Sequence, residues 1–175
     1  EALSFRLHAA AAQRLAVRLQ AGARDISDYA SAGERGVPRM KTALTHGVFD
    51  LLHAGHLEHL RQCNNYADRL IVSIVADRFV TKKFVIHDER TRMFQVSRIK
   101  GVDEVVLCDE FGPWDLLKTI RPDIYIRKDE YAQKAQPEYK VAEELGIECL
   151  FTKTVPPHGA ELVRRIWDLR GIYGD

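Results

Sequence analysis

From residue 41 onward the apolar positions fall into short blocks that alternate between two periods. Residues 42–48 and 69–75 read as buried strands, the first ending at Gly47. Residues 102–107, 123–126 and 148–151 are shorter strand patterns. Between them, residues 55–64, 89–100, 113–120, 137–145 and 160–169 carry helical spacing. Strands alternating with helices predict a doubly wound, Rossmann-like α/β fold, a parallel sheet with helices on both faces, because parallel neighbours need right-handed crossovers. Ligands in such a sheet bind beyond the carboxyl ends of the strands, where the strand order reverses. The first forty residues have a different texture. Leu3, Leu7, Ala10, Leu15, Val17 and Leu19 supply one apolar face, so residues 2–22 read as a helix. Gly22, Gly33, Gly36 and Pro38 then mark a linker. The expected organisation is an N-terminal helical extension and linker over 1–40, followed by one α/β domain over 41–175.

Composition narrows the class. The chain has 175 residues, 46% of them hydrophobic, enough for one domain with a substantial core. A net charge of +1 lacks the basic excess of a dedicated nucleic-acid binder, so no nucleic-acid partner is expected. No apolar run approaches the ~20 residues of a membrane span, and Arg6, Arg14 and Arg18 interrupt any signal-peptide core. Cys63, Cys108 and Cys149 are odd in number and widely spaced, which argues against a disulfide framework or a zinc site and fits a reducing cytoplasm. Each reads as a small buried apolar residue.

Chemistry concentrates in Gly47-Val48-Phe49-Asp50-Leu51-Leu52-His53-Ala54-Gly55-His56. A strand ends in Gly47 and a helix starts near Gly55, so backbone N–H groups and a partial positive charge are expected to face an anion there. Gly55 lets a ligand approach the backbone closely. His53 and His56 are three apart and share one side of the first helical turn, where two imidazoles can stabilise charge on a phosphoryl group. The bland reading of either is a helix cap or a packing residue. With His59 the pair could be read as a metal face, but no acidic or cysteine ligand at matching spacing lies nearby and His59 falls further round the helix, so no metal ligands are assigned and His59 is expected to face solvent.

Gly47-Val48-Phe49-Asp50-x-x-His53-x-Gly55-His56 resembles the G-x-F-D-x-x-H-x-G-H signature of the cytidylyltransferase-like nucleotidyltransferases, which include glycerol-3-phosphate cytidylyltransferase and the adenylyltransferase domain of ADP-heptose synthase. The resemblance runs from about residue 41 to 170. It implies attack by a phosphate or phosphonate oxygen on the α-phosphate of a nucleoside triphosphate, with pyrophosphate leaving and Mg2+ bridging the phosphates. It places His53 and His56 on the nucleotide phosphates and the backbone of Gly47, Val48 and Phe49 around the triphosphate, with Asp50 and Gly55 in the same site. It also puts Lys83 in a lysine loop that reaches over the phosphates, with Lys82 a surface residue on an even reading. Arg92, ten residues before Val102-Asp103-Glu104-Val105, would sit near the nucleotide; without the resemblance it reads as a surface residue.

Two stretches depart from the family. Its K-G-G-D-Y turn is Arg127-Lys128-Asp129-Glu130-Tyr131 here, so both glycines are lost while Arg127, Asp129 and Tyr131 remain candidate nucleotide contacts. Tyr131 either stacks on a base or packs. The family's R-T-E-G-I-S-T-T is Lys153-Thr154-Val155-Pro156-Pro157-His158-Gly159-Ala160. Lys153 and Thr154 keep a cation and a hydroxyl, and His158 either donates to phosphate or caps the last helix. Three functions remain open at this point. The first is nucleotidyl transfer to a sugar, polyol or phosphonate acceptor by a homodimer, with CTP narrowly ahead of ATP. The second is a nucleotide-binding or assembly module without turnover. The third, an aminoacyl-tRNA synthetase fragment, is disfavoured by length and by the lack of a K-M-S-K-S-like loop.

Overall fold

The structure, a computed structural model, describes residues 18–20, 39–80, 85–134, 136–156 and 159–173. Its strands are β1 (Arg18–Gln20), β2 (Thr42–Gly47), β3 (Arg69–Val75), β4 (Glu104–Cys108), β5 (Ile124–Lys128) and β6 (Glu148–Thr152). Its α-helices are α1 (Ala54–Cys63), α2 (Glu89–Ser97), α3 (Trp114–Ile120), α4 (Pro137–Glu144) and α5 (Gly159–Tyr173). The strands form one sheet in the order β1-β4-β3-β2-β5-β6. Every neighbouring pair from β4 to β6 is parallel, and β1 closes the β4 edge antiparallel.

Alternation along each strand divides the core between two faces. Ala43, Leu70, Val72, Ile74, Val105, Ile124 and Ile126 point to one cluster with Leu60 and Cys63 of α1 and Met93 and Val96 of α2. Their neighbours Leu44, Ile71, Val106 and Tyr125 point to the other, with Leu116 and Leu117 of α3 and Ala142 of α4. Both faces of the central strands are therefore buried, which is why their sequences run as continuous apolar blocks. The doubly wound architecture matches the expectation from the sequence.

The N-terminal extension does not. Arg18–Gln20, expected at the end of a helix over 2–22, is instead the edge strand β1, with Leu19 opposite Val105. The exposed edge of β4 offers a row of backbone donors and acceptors, and pairing with it satisfies them where a helix would not. The rest of that expected helix lies outside the described residues. Cys63 and Cys108 are buried and Cys149 is half-buried, as small apolar residues. No helix among the described residues is long and apolar enough to cross a membrane.

The strand order reverses between β2 and β5. Their carboxyl ends lie side by side, with Thr45 opposite Ile126. The turn after β2, the turn after β5 and the exit of β6 all open at this point.

Candidate active site

The turn between β2 and α1 is sharply folded. Phe49 and Leu51 both take left-handed backbone conformations, at φ 54° and 46°. For such residues this costs of order 1–3 kcal/mol each, so the surroundings must hold the turn. Gly47 makes the fold-back possible: a Cβ there would lie 2.9 Å from the Phe49 ring. That ring is buried, with its centroid 5.3 Å from the His56 ring and 6.4 Å from that of His59. Phe49 is thus the floor of the turn, its side chain given to packing.

His53 is the N-cap of α1. Its Nδ1 accepts the Gly55 N–H at 3.1 Å, and its carbonyl accepts the N–H groups of His56 and Leu57. The N–H groups expected to face an anion at this helix start are therefore taken up by His53 itself, which corrects the sequence expectation. The cap also fixes the ring chemistry. An Nδ1 that accepts a hydrogen bond bears no proton, so the neutral ring carries its proton on Nε2. His53 and His56 stack with centroids 3.9 Å apart and planes 29° from parallel. The two imidazoles form one paired surface.

Asp50 and Arg92 hold the turn from behind. Asp50 accepts from the backbone of Leu51 (2.9 Å), Ile86 (2.7 Å) and His87 (3.1 Å), and from His87 Nδ1 (3.0 Å). Burial alone would raise its carboxyl, but the donors of Ile86, His87 and Leu51 outweigh that and hold it below the usual value. Arg92 is fully buried. Its guanidinium donates to the carbonyls of His87 (3.0 Å), Val48 (2.5 Å) and Val75 (2.8 Å) and to Asp77 (2.5 Å). Neither the surface position nor the nucleotide contact expected of Arg92 matches this geometry, because these donors are spent on the protein. Asp50 and Arg92 act on the site by fixing its backbone. Asp77 and Glu89 exchange reciprocal backbone-to-carboxylate bonds, Asp77 N–H to Glu89 at 2.8 Å and Glu89 N–H to Asp77 at 3.1 Å. The two ends of the segment carrying Lys83 are therefore joined. Lys83 itself lies outside the described residues, as does His158.

Across the strand-order reversal, the Arg127 guanidinium donates to the His46 carbonyl of β2, approaches Glu138 at 3.9 Å, and lies 4.4 Å from the centroid of the Tyr131 ring. The Lys134 ammonium lies 4.8 Å from the same centroid. The Tyr131 ring, read from the sequence as either stacking on a base or packing, thus packs against two cations. Asp129 accepts the Thr154 backbone N–H at 3.0 Å and the Thr154 hydroxyl, and these bonds, led by the hydroxyl, lower its pKa. The glycine-free turn after β5 is in this way tied to the exit of β6. Lys153 is exposed beside it, with its backbone N–H and carbonyl both bonded to the Gln62 amide of α1, at 2.8 and 3.1 Å.

His59 is where the sequence reading fails most clearly. Expected to face solvent, it is 4% exposed. Its ring nitrogens bond Thr45 of β2 at 2.8 Å and Thr152 of β6 at 2.6 Å. Burial, then the charges of Lys128 and Arg127, pushes its pKa down to about 3. His46 is also held near 3, by burial and then Arg127, and bonds the Ser73 hydroxyl at 3.0 Å. No signal in the sequence marks either, since their partners sit on other strands. Among the described residues no group of three His, Cys, Asp or Glu side chains could hold a metal ion.

The similarities to known proteins agree with this geometry. Residues 44–162 match the cytidylyltransferase-like family. The chain is 36% identical to the bifunctional protein HldE of Methylobacillus flagellatus over 113 residues, covering 62% of the chain and 22% of that protein. It is 32% identical to HldE of Acidiphilium cryptum over 134 residues, covering 74% of the chain and 28% of that protein. The chain therefore spans only a minor part of these relatives. The crystal structure of a lipopolysaccharide core biosynthesis protein from Thermoplasma volcanium superposes with a TM-score of 0.56 at 27% identity, covering 68% of this chain and 99% of that one. With its histidine turn at the carboxyl end of β2 beside the strand-order reversal, the chain belongs to the cytidylyltransferase-like family of nucleotidyltransferases.

Proposed function

We propose that the chain transfers a nucleoside monophosphate from a nucleoside triphosphate to a small acceptor bearing a phosphate or phosphonate. The observation that carries this is the stacked pair of His53 and His56, in which the cap bond to Nδ1 of His53 leaves the proton of the neutral ring on Nε2. In the reaction an acceptor oxygen attacks the α-phosphorus in line, and the bond from that phosphorus to the bridging oxygen breaks. Pyrophosphate leaves with the electron pair. The imidazole donors face the equatorial oxygens, where charge gathers in the transition state, and cations such as Lys83 and Lys153 add to that field. Arg92 and Asp50 keep the turn in register. Mg2+ is the expected companion of the triphosphate. Such an ion would be held mainly by phosphate oxygens and water.

CTP is the first nucleotide to test, after the cytidylyltransferase-like family, and ATP the second, after the resemblance to the adenylyltransferase domain of ADP-heptose synthase. A homodimer in the cytoplasm remains part of the proposal, as does the division at residue 40, with β1 the point where the extension joins the sheet. The test is pyrophosphate release from CTP and ATP with a panel of sugar phosphates, polyol phosphates and phosphonates. Turnover with at least one pair is expected. Tight nucleotide binding without turnover across the panel would instead establish a binding module.

A further inference from the structure

Helix α1 carries more than the histidine pair. One turn beyond His56, His59 reaches across the sheet to two strands, and Gln62 reaches to the segment that follows the second of them. Thr152 Oγ1 donates to the Arg127 carbonyl at 3.4 Å. With its proton so placed, it accepts from His59 Nδ1, and His59 Nε2 accepts from the Thr45 hydroxyl. The neutral ring protonated on Nδ1 is then the tautomer that satisfies every bond in a chain running from β2 through α1 and β6 to β5. Cys63 packs against the same ring, with Sγ 3.8 Å from Nε2. One residue past Thr152, the Gln62 amide holds both the N–H and the carbonyl of Lys153. One more residue on, Thr154 is bound to Asp129 of the turn after β5.

We infer that His59 and Gln62 are positioning residues that lock the histidine pair to the exit of β6, so that the imidazoles and the Lys153–Thr154 segment meet a triphosphate as one rigid cradle. The inference rests on reading the histidine turn as the nucleotidyl-transfer centre. Its physical basis is that α1 is short and its start is shaped by a strained turn. Packing of Leu60 and Cys63 seats α1 on the sheet without directional bonds, so the His59 bonds are what fix its rotation closely, and errors of fractions of an ångström at a reacting centre are amplified in rate. His59 is placed to fix the rotation of α1, and hence kcat. Gln62 is placed to fix where the Lys153 segment lies, and hence affinity for the triphosphate.

The chain is compared with its His59→Leu, His59→Gln and Gln62→Ala variants by kcat, by KM for the nucleoside triphosphate, and by amide hydrogen exchange. Leucine fills the volume but carries no hydrogen bonds, so kcat is expected to fall by roughly tenfold or more. Glutamine offers a donor and an acceptor and is expected to recover most of that loss. Gln62→Ala is expected to raise KM several-fold, by a larger factor than it lowers kcat. In both His59→Leu and Gln62→Ala the Lys153 amide should exchange faster, while Ile71 in β3 keeps its rate. Glutamine recovering no more than leucine, or wild-type kcat in His59→Leu, overturns the positioning role. Should the wild-type chain turn over no pair in the panel, the nucleotidyl-transfer reading fails. The exchange arm then decides the lock by itself: faster exchange at Lys153 in both variants upholds it, and unchanged exchange overturns it.

Discussion

His53 performs two jobs with two nitrogens, and substitution can separate them. Nδ1 caps α1 by accepting the Gly55 N–H at 3.1 Å, while Nε2–H is the proposed donor to the transferring phosphoryl group. His53→Ala removes both. Loss of the cap is expected to cost about 1 kcal/mol of stability, which for a chain of this size lowers Tm by roughly 2–4 °C. His53→Asn is the informative variant. Asparagine is among the best N-cap residues, so α1 keeps its start and Tm is expected to stay close to that of the wild type. Its side chain is too short to place a donor where Nε2 lies. Losing one preorganised donor to transition-state charge costs about 2.7–4 kcal/mol, a fall in kcat of roughly 100- to 1000-fold. The assay pairs differential scanning calorimetry with initial rates of pyrophosphate release at saturating nucleotide. A His53→Asn protein with wild-type Tm and near wild-type kcat would refute the donor role. A protein that lost both stability and activity in proportion would show that the histidine matters only as a cap.

Arg92→Met should destabilise the fold by about 3–5 kcal/mol in urea titration, because it strands the buried carbonyls of Val48, Val75 and His87 together with Asp77; a loss under about 1 kcal/mol would remove its structural role. Lys83→Ala should raise KM for the triphosphate more than it lowers kcat, and an unchanged KM would take Lys83 out of the site. The buried His59 predicts acid sensitivity: its pKa falls from 6.5 to about 3 on folding, so the unfolded chain binds the proton first and stability drops as pH falls below 6.5. Between pH 7 and 5 this one group removes about 2 kcal/mol, and His59→Gln should flatten the fall by that amount in denaturant titrations at the two pH values.

Much of the fold was legible because it rests on local periodicity. β3 is bounded as the sequence predicts, and the other elements from β2 onward differ by one to a few residues at their ends. α2 stops at Ser97 instead of running to residue 100, because the backbone unwinds toward Gly101 at φ 89°. β1 was missed because a strand of three residues at a sheet edge owes its conformation to β4, not to its own pattern.

The site divides along the same line. The sequence by itself singled out the candidate centre: a glycine, an aspartate and two histidines at fixed spacing between a strand and a helix call for a tight turn, and the structure has that turn. Only the tertiary structure decided how that centre is held. Arg92 became a buried brace, Asp50 an anchor for residues 86 and 87, and His59 a link between β2 and β6, because each bonds groups 14 to 93 residues away along the chain. Hydrogen bonds over such separations follow from the order of strands in the sheet and leave no local period to read.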